Sequence, residues 1–162
     1  MATKAVPEGY HTAIPYLIMD DATAAIEFYK LAFGATEVTR YDAPGGKIGH
    51  AEIRVGDSII MLADEHPDMG YRSPHAVGGT TVSIMLYIDD VDAVFARAIA
   101  AGAKVMRPVQ DQFYGDRSGT LEDPFGHMWA LATHIEDLSH EEIMLRAQTA
   151  MKPAGEQRAP SQ

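Results

Sequence analysis

The chain contains no cysteine. Disulfides, thiolate catalysis and Cys-ligated zinc are therefore all excluded. Basic residues are scarce, 13 Lys and Arg against 23 Asp and Glu, and the formal net charge is -10. No Lys/Arg run breaks this balance, so nucleic acid and anionic membrane are disfavoured as partners, since both call for a basic face. No apolar stretch approaches the roughly 20 residues needed to cross a bilayer. The opening MATKAVPEGYHTA lacks the apolar segment of a secretory signal. These absences predict a soluble, cytoplasmic protein. What is present is ordinary for a globular chain: 162 residues, 46% hydrophobic. That is enough for one domain, or for two small modules sharing a core.

The most informative stretch is Ser118 to His134, SGTLEDPFGHMWALATH. It reads as a β-hairpin, with a tight turn at Asp123-Pro124-Phe125-Gly126 followed by a strand carrying Trp129 and Leu131. Proline presets the turn's φ and glycine supplies the positive φ. His50 to Ala63, HAEIRVGDSIIMLA, has the same plan with Gly56-Asp57 at its turn.

Other elements follow from periodicity and punctuation. His11–Met19 is expected as a first strand, although Pro15 inside it is tolerated only at an edge or bulge. Asp20-Asp21 cap a helix over Ala22–Phe33, whose Ala25, Ile26, Tyr29 and Phe33 share one stripe; Gly34 closes it. Strands are expected at Thr36–Tyr41, Ile48–Val55 and Ser58–Ala63. The segment Asp64 to Gly79 shows no periodicity and reads as a linker. The pattern then restarts: a strand over Thr80–Ile88, a cap at Asp89-Asp90, a helix over Val91–Ala101 ended by Gly102, and a strand from Val105. Pro108 to Asp116 is expected to be irregular. Ser139-His140-Glu141-Glu142 forms a capping box for a last short helix.

A shift of about 68 or 69 residues superposes the two halves, placing Asp20-Asp21 on Asp89-Asp90 and Gly34-Ala35 on Gly102-Ala103. Each half reads β-α-β-β-β. One helix covers one face of each sheet, which leaves the other face for a shared cleft. The predicted layout is a first module at 10–64, a linker at 65–79, a second module at 80–134, a helix at 135–151, and flexible tails at 1–9 and 152–162.

The paired modules, the helix IEFYKLAFGA, the strand GHAEIRVGDSIIML and the run DPFGHMWAL resemble the vicinal oxygen chelate superfamily. That is the glyoxalase, bleomycin-resistance and extradiol-dioxygenase group, and the likeness is to its PhnB-like branch. The resemblance implies an α+β fold in which the modules form a curled, eight-stranded mixed sheet around a cleft, in a homodimer. It also implies metal-ligand positions on the first and last strands of each module, which fall on Ile14, Met61, Ser83 and Ala130. None of the four is a His, Glu or Gln. The glyoxalase and dioxygenase chemistries are thereby drawn into question, and no cofactor is expected; a divalent metal fits only with relocated ligands.

Strand alternation assigns the residues facing the cleft. Tyr16, Arg54, Ser83, Met85, Tyr87 and Met128 are candidate ligand contacts, with Tyr114 in the loop before the hairpin. On Ile48–Val55, the residues Ala51, Ile53 and Val55 are expected on the helix, leaving His50, Glu52 and Arg54 on the other face. His50 and Glu52 are the candidate acid–base pair, or two ligands of a displaced metal site; the alternative is a partly solvated face with an Arg54–Glu52 pair. Arg117 is a candidate anchor for an anionic ligand, or else half of an exposed ion pair. Trp129 alternates onto the helix side and His127 reads as structural. His66, His75, His134 and His140 are expected to be solvated. The leading expectation is a small-molecule-binding protein of bleomycin-resistance type. A glyoxalase-like lyase or isomerase using His50 and Glu52 is the main alternative, and a non-enzymatic interaction module the third.

Overall fold

The computed structural model describes residues 3–150. The tail expected at 152–162 lies outside the described residues. Strands β1 (Tyr16–Met19), β2 (Thr36–Ala43), β3 (Lys47–Val55) and β4 (Ser58–Asp64) and helix α1 (Ala22–Phe33) make the first half. After the one-turn helix α2 (Pro74–Val77), the second half comprises β5 (Ser83–Tyr87), α3 (Val91–Ala100), β6 (Lys104–Asp111), β7 (Asp116–Glu122) and β8 (Met128–His134). Helix α4 (His140–Ala150) follows. The eight strands form two four-stranded mixed sheets, ordered β1-β4-β3-β2 and β5-β8-β7-β6. The fold is α+β.

Across the parallel strand pairs the internal repeat keeps its register. Tyr16 lies opposite Met61 across the parallel β1–β4 pair, and Met85 lies opposite Ala130 across β5–β8. The helix starts match as well. Asp21 accepts the Ala24 amide and Asp90 the Ala93 amide, each at 3.0 Å, which satisfies donors left free in a first helical turn. The last strand of each sheet reaches the same place. The Asp64 carboxylate accepts the amides of Ala22 and Ile48, and Thr133 Oγ1 accepts the amide of Val91.

Helices α1 and α3 pack on each other and on one side of both sheets, so residues of both halves join one hydrophobic core. Ile26, Ile53, Leu62, Leu121 and Leu131 are all within 2% of complete burial. Trp129 is fully buried against Tyr29 and Phe33, with ring centroids 5.2 and 4.8 Å away. Its Nε1 donates to Asp123 Oδ2, which also accepts the Tyr29 hydroxyl. Asp123 Oδ1 takes the amides of Phe125 and His127, so the hairpin turn and α1 are tied to one carboxylate. Burial, reinforced by Asp123, pushes the Tyr29 hydroxyl pKa well above its ordinary value.

Several expected boundaries shift. β1 begins at Tyr16, not His11, because Pro15 has no amide to give a ladder. Residues Pro108 to Asp111, expected to be irregular, belong to β6. That strand is at a sheet edge, where a proline and the register breaks around Arg107 are tolerated. Asp116 and Arg117 are strand residues of β7, not loop residues. The linker carries a 3-10 turn at Pro67–Met69 as well as α2.

Candidate functional site

On β3 the alternation is clean: Ala51 and Ile53 are fully buried in the core, while His50, Glu52 and Arg54 face away from α1. Glu52 is nonetheless only 7% exposed. What covers it is the N-terminal arm, expected to be a loose tail. The arm turns at Pro7, whose carbonyl accepts the Tyr10 amide, and the Tyr10 hydroxyl donates to Glu52 Oε2 at 2.5 Å. On the carboxylate's other side, His50 Nε2 lies 3.1 Å from Oε1, and His50 Nδ1 lies 2.8 Å from the Tyr16 hydroxyl. The neutral tautomer with its proton on Nε2 satisfies both contacts, with Tyr16 donating. A continuous chain Tyr16–His50–Glu52–Tyr10 results. Tyr41 stacks on the His50 ring at 6.0 Å.

The electrostatics follow from these contacts. Burial raises the Glu52 carboxyl pKa, but the hydrogen bonds from Tyr10 and His50 together outweigh it and hold the group below its ordinary value. Burial raises the Tyr16 pKa, and the Glu52 hydrogen bond raises that of Tyr10. Glu52 is the ionised member.

The second sheet carries a different cluster, where β7 starts and β8 ends. The Tyr87 hydroxyl donates to Asp116 Oδ2 at 2.7 Å, and His134 Nδ1 lies 2.8 Å from Asp116 Oδ1. His134 Nε2 reaches Asp137 at 3.0 Å. His134 is not simply solvated: its bonds to Asp116 and Asp137 raise its pKa above the ordinary imidazole value. Asp116, only 3% exposed, escaped the sequence reading because it was assigned to a loop. His75 likewise binds Asp20, at 2.7 Å, and His127 Nε2 contacts the Ile18 carbonyl.

The structure separates the remaining candidates. Tyr16, Met85 and Tyr87 are 48%, 43% and 64% exposed on the faces turned away from the helices. Ser83 and Met128 pair across β5–β8 and border a groove of about 430 Å³ at the seam with β1. Tyr114 packs edge-on against Phe113. Arg117 does not serve this region. It lies on the helix side of β7, where Asp92 of α3 takes it in a bidentate pair and Asp111 takes a third bond, so three of its five donors are committed there.

Residues 10–131 match the family described as the Glyoxalase/Bleomycin resistance protein/Dioxygenase superfamily. The chain belongs to this superfamily. An uncharacterized protein of Mycobacterium tuberculosis strain H37Rv is 44% identical over 145 residues, 88% of this chain and 83% of that one. An uncharacterized Arabidopsis thaliana protein is 28% identical over 115 residues, covering 67% of this chain and 69% of its own. Among solved structures, PA1353 from Pseudomonas aeruginosa superposes with a TM-score of 0.63 at 27% identity, covering 78% of this chain and 99% of its own. TioX from Micromonospora sp. ML1 gives 0.60 at 28%, covering 80% and 100%.

The superfamily's metal has no fitting donor set at its expected positions. Ile14 and Met61 line an apolar groove beneath the N-terminal arm, Ala130 has no donor, and Ser83 offers one neutral hydroxyl. A hard divalent cation is not held by such a set. Among the described residues, no group of three or more His, Asp or Glu converges elsewhere in a metal-binding arrangement. No described helix is long and apolar enough to cross a membrane.

Proposed function

We propose that this superfamily member is a small-molecule-binding protein of the bleomycin-resistance kind, holding its ligand on the sheet faces turned away from the helices. The observation that carries the reading is the chemistry at the four metal positions: two aliphatic side chains, a thioether and a hydroxyl. Exposed aromatic and thioether groups around them, Tyr16, Tyr41, Met85 and Tyr87, support a flat, partly apolar ligand. The same open faces support a homodimer, because a second copy would remove this apolar surface from water. The acidic net charge argues against nucleic acid or anionic membrane as the partner.

The test is a thermal-shift and calorimetry screen of planar aromatic compounds against the full chain, repeated on Tyr16→Ala and Tyr87→Ala. A true ligand at about 100 times its Kd stabilises by roughly 2.7 kcal/mol, and the substitutions weaken it. A screen in which nothing stabilises the protein removes the reading. Stoichiometric metal in protein purified without added ions would remove it as well.

One observation favours a second reading, a glyoxalase-like lyase or isomerase. The Tyr16–His50–Glu52 chain has the order of a phenol–imidazole–carboxylate relay, in which Glu52 orients His50 for proton transfer. Turnover of hemithioacetals that vanishes in His50→Ala would establish it; equal turnover in wild type and variant would exclude it.

A further inference from the structure

The groove under the N-terminal arm holds two of the four metal positions, Ile14 and Met61. It has a volume of about 490 Å³, within the range of small-ligand pockets, roughly 300–1000 Å³. Its walls are apolar: Val6 and Pro7 from the arm, Ile14 ahead of β1, and Met61 from β4. Glu52 is the only carboxylate among its lining residues, and no lysine or arginine among the described residues lines it. The other polar groups are Tyr10, Thr12 and His11, whose ring is drawn toward the Asp57 carbonyl at 3.3 Å.

An ionised carboxylate offers about four lone-pair sites. Tyr10 fills one on Oε2 and His50 one on Oε1. Glu52 is therefore a nearly buried carboxylate with acceptor capacity left over and no lysine or arginine bonded to it. A charge in such a setting favours a partner of opposite sign. The net charge of -10 also raises the local concentration of cations.

We propose that this groove takes a ligand with an apolar body and one protonated amine, the body against Ile14 and Met61 and the ammonium on Glu52. The proposal rests on the binding reading above and narrows it to a ligand class. The arm supplies both a wall and, through Tyr10, a hydroxyl that shares the carboxylate with the ligand. Residues that relatives devote to a cation site are here the floor for an organic cation.

The experiment is isothermal calorimetry of the full chain with 4-phenylbutylamine, 4-phenylbutanol and 4-phenylbutyrate, three probes with a common body. The amine is expected to bind at least about tenfold tighter than the alcohol, the scale of one charge-assisted hydrogen bond, and the carboxylate weakest. Glu52→Gln should erase the amine's advantage while leaving the alcohol's affinity in place. Ile14→Trp, which fills the groove and leaves the Glu52 hydrogen bonds intact, should weaken the amine and the alcohol alike and keeps the test decisive if Glu52→Gln fails to fold. Equal binding of amine and alcohol to the wild type overturns the proposal, as does an advantage that survives Glu52→Gln or amine binding untouched by Ile14→Trp. If planar neutral compounds bind elsewhere and the amine does not, only this inference falls; if nothing binds, the binding reading falls with it.

Discussion

Tyr29 donates a 2.6 Å hydrogen bond to Asp123, a residue 94 positions later and in the other module. The bond joins the helix of one half to the turn of the other inside the shared core. Tyr29→Phe removes it without leaving a large cavity. Because the acceptor is a carboxylate, the expected loss is about 1.5–3 kcal/mol. A urea titration should show a lower midpoint with an unchanged slope. A change under about 0.5 kcal/mol would mean the bond contributes nothing to holding the halves together.

Gly119 of β7 lies directly against Phe95 of α3. A Cβ placed there would lie 2.9 Å from the Phe95 ring and 3.1 Å from the Arg107 carbonyl oxygen. The ring can yield, but the backbone oxygen cannot without moving β6. Gly119→Ala should therefore destabilise by about 1–3 kcal/mol, as overpacking does. Thermal unfolding of the purified variant checks this, and an unchanged midpoint would refute it.

His134 gives the pH dependence a definite sign. Its folded pKa is raised by the carboxylates of Asp116 and Asp137, and the Tyr87 hydroxyl faces the same Asp116. Its contribution to stability is thus complete below the ordinary imidazole value, about 6.5, and fades as pH rises through the folded value. The difference in urea midpoint between wild type and His134→Gln should be largest near pH 6 and shrink by about pH 8.5. A difference that grows with pH would contradict the assignment.

Arg117 and Tyr87 make a matched pair of controls for ligand binding. Arg117 is bound by Asp92 and Asp111 on the helix side, whereas Tyr87 stands on the open face. Tyr87→Ala should weaken a bound planar aromatic compound by about tenfold, a typical share of one aromatic contact. Arg117→Ala should leave the affinity unchanged. Calorimetry on both variants decides, and the reverse pattern would move the site to the other side of β7.

The two modules were legible because their signals are local. A helix stripe, Asp21 and Asp90 as caps, and the Asp123–Gly126 turn each depend on neighbours in sequence. So did the facing of β3, since alternation alone puts Ala51 and Ile53 on one side and His50 and Glu52 on the other. In the second half the reading slipped where a loop had been assumed. Pro108 sits inside β6 because that strand is an edge, and edge status is a property of the finished sheet. With the start of β7 misread, Arg117 was left open between a ligand anchor and an exposed ion pair, the pair being what forms with Asp92 and Asp111, and Asp116 was overlooked.

The family resemblance is what marks positions 14, 61, 83 and 130 as lacking chelating side chains; by itself the sequence determined the element order and the repeat of about 69 residues. These are facts about residue type and spacing, and short-range sterics and hydrophobic periodicity express them directly. Only the tertiary structure decided that the arm at residues 5–12 lies over Glu52, that Tyr16, His50, Glu52 and Tyr10 form one hydrogen-bonded chain, and that Tyr29 meets Asp123. Each of those contacts joins residues distant in the chain. No local propensity encodes them; they exist because burying the shared core fixes where the two sheets and the arm come to rest.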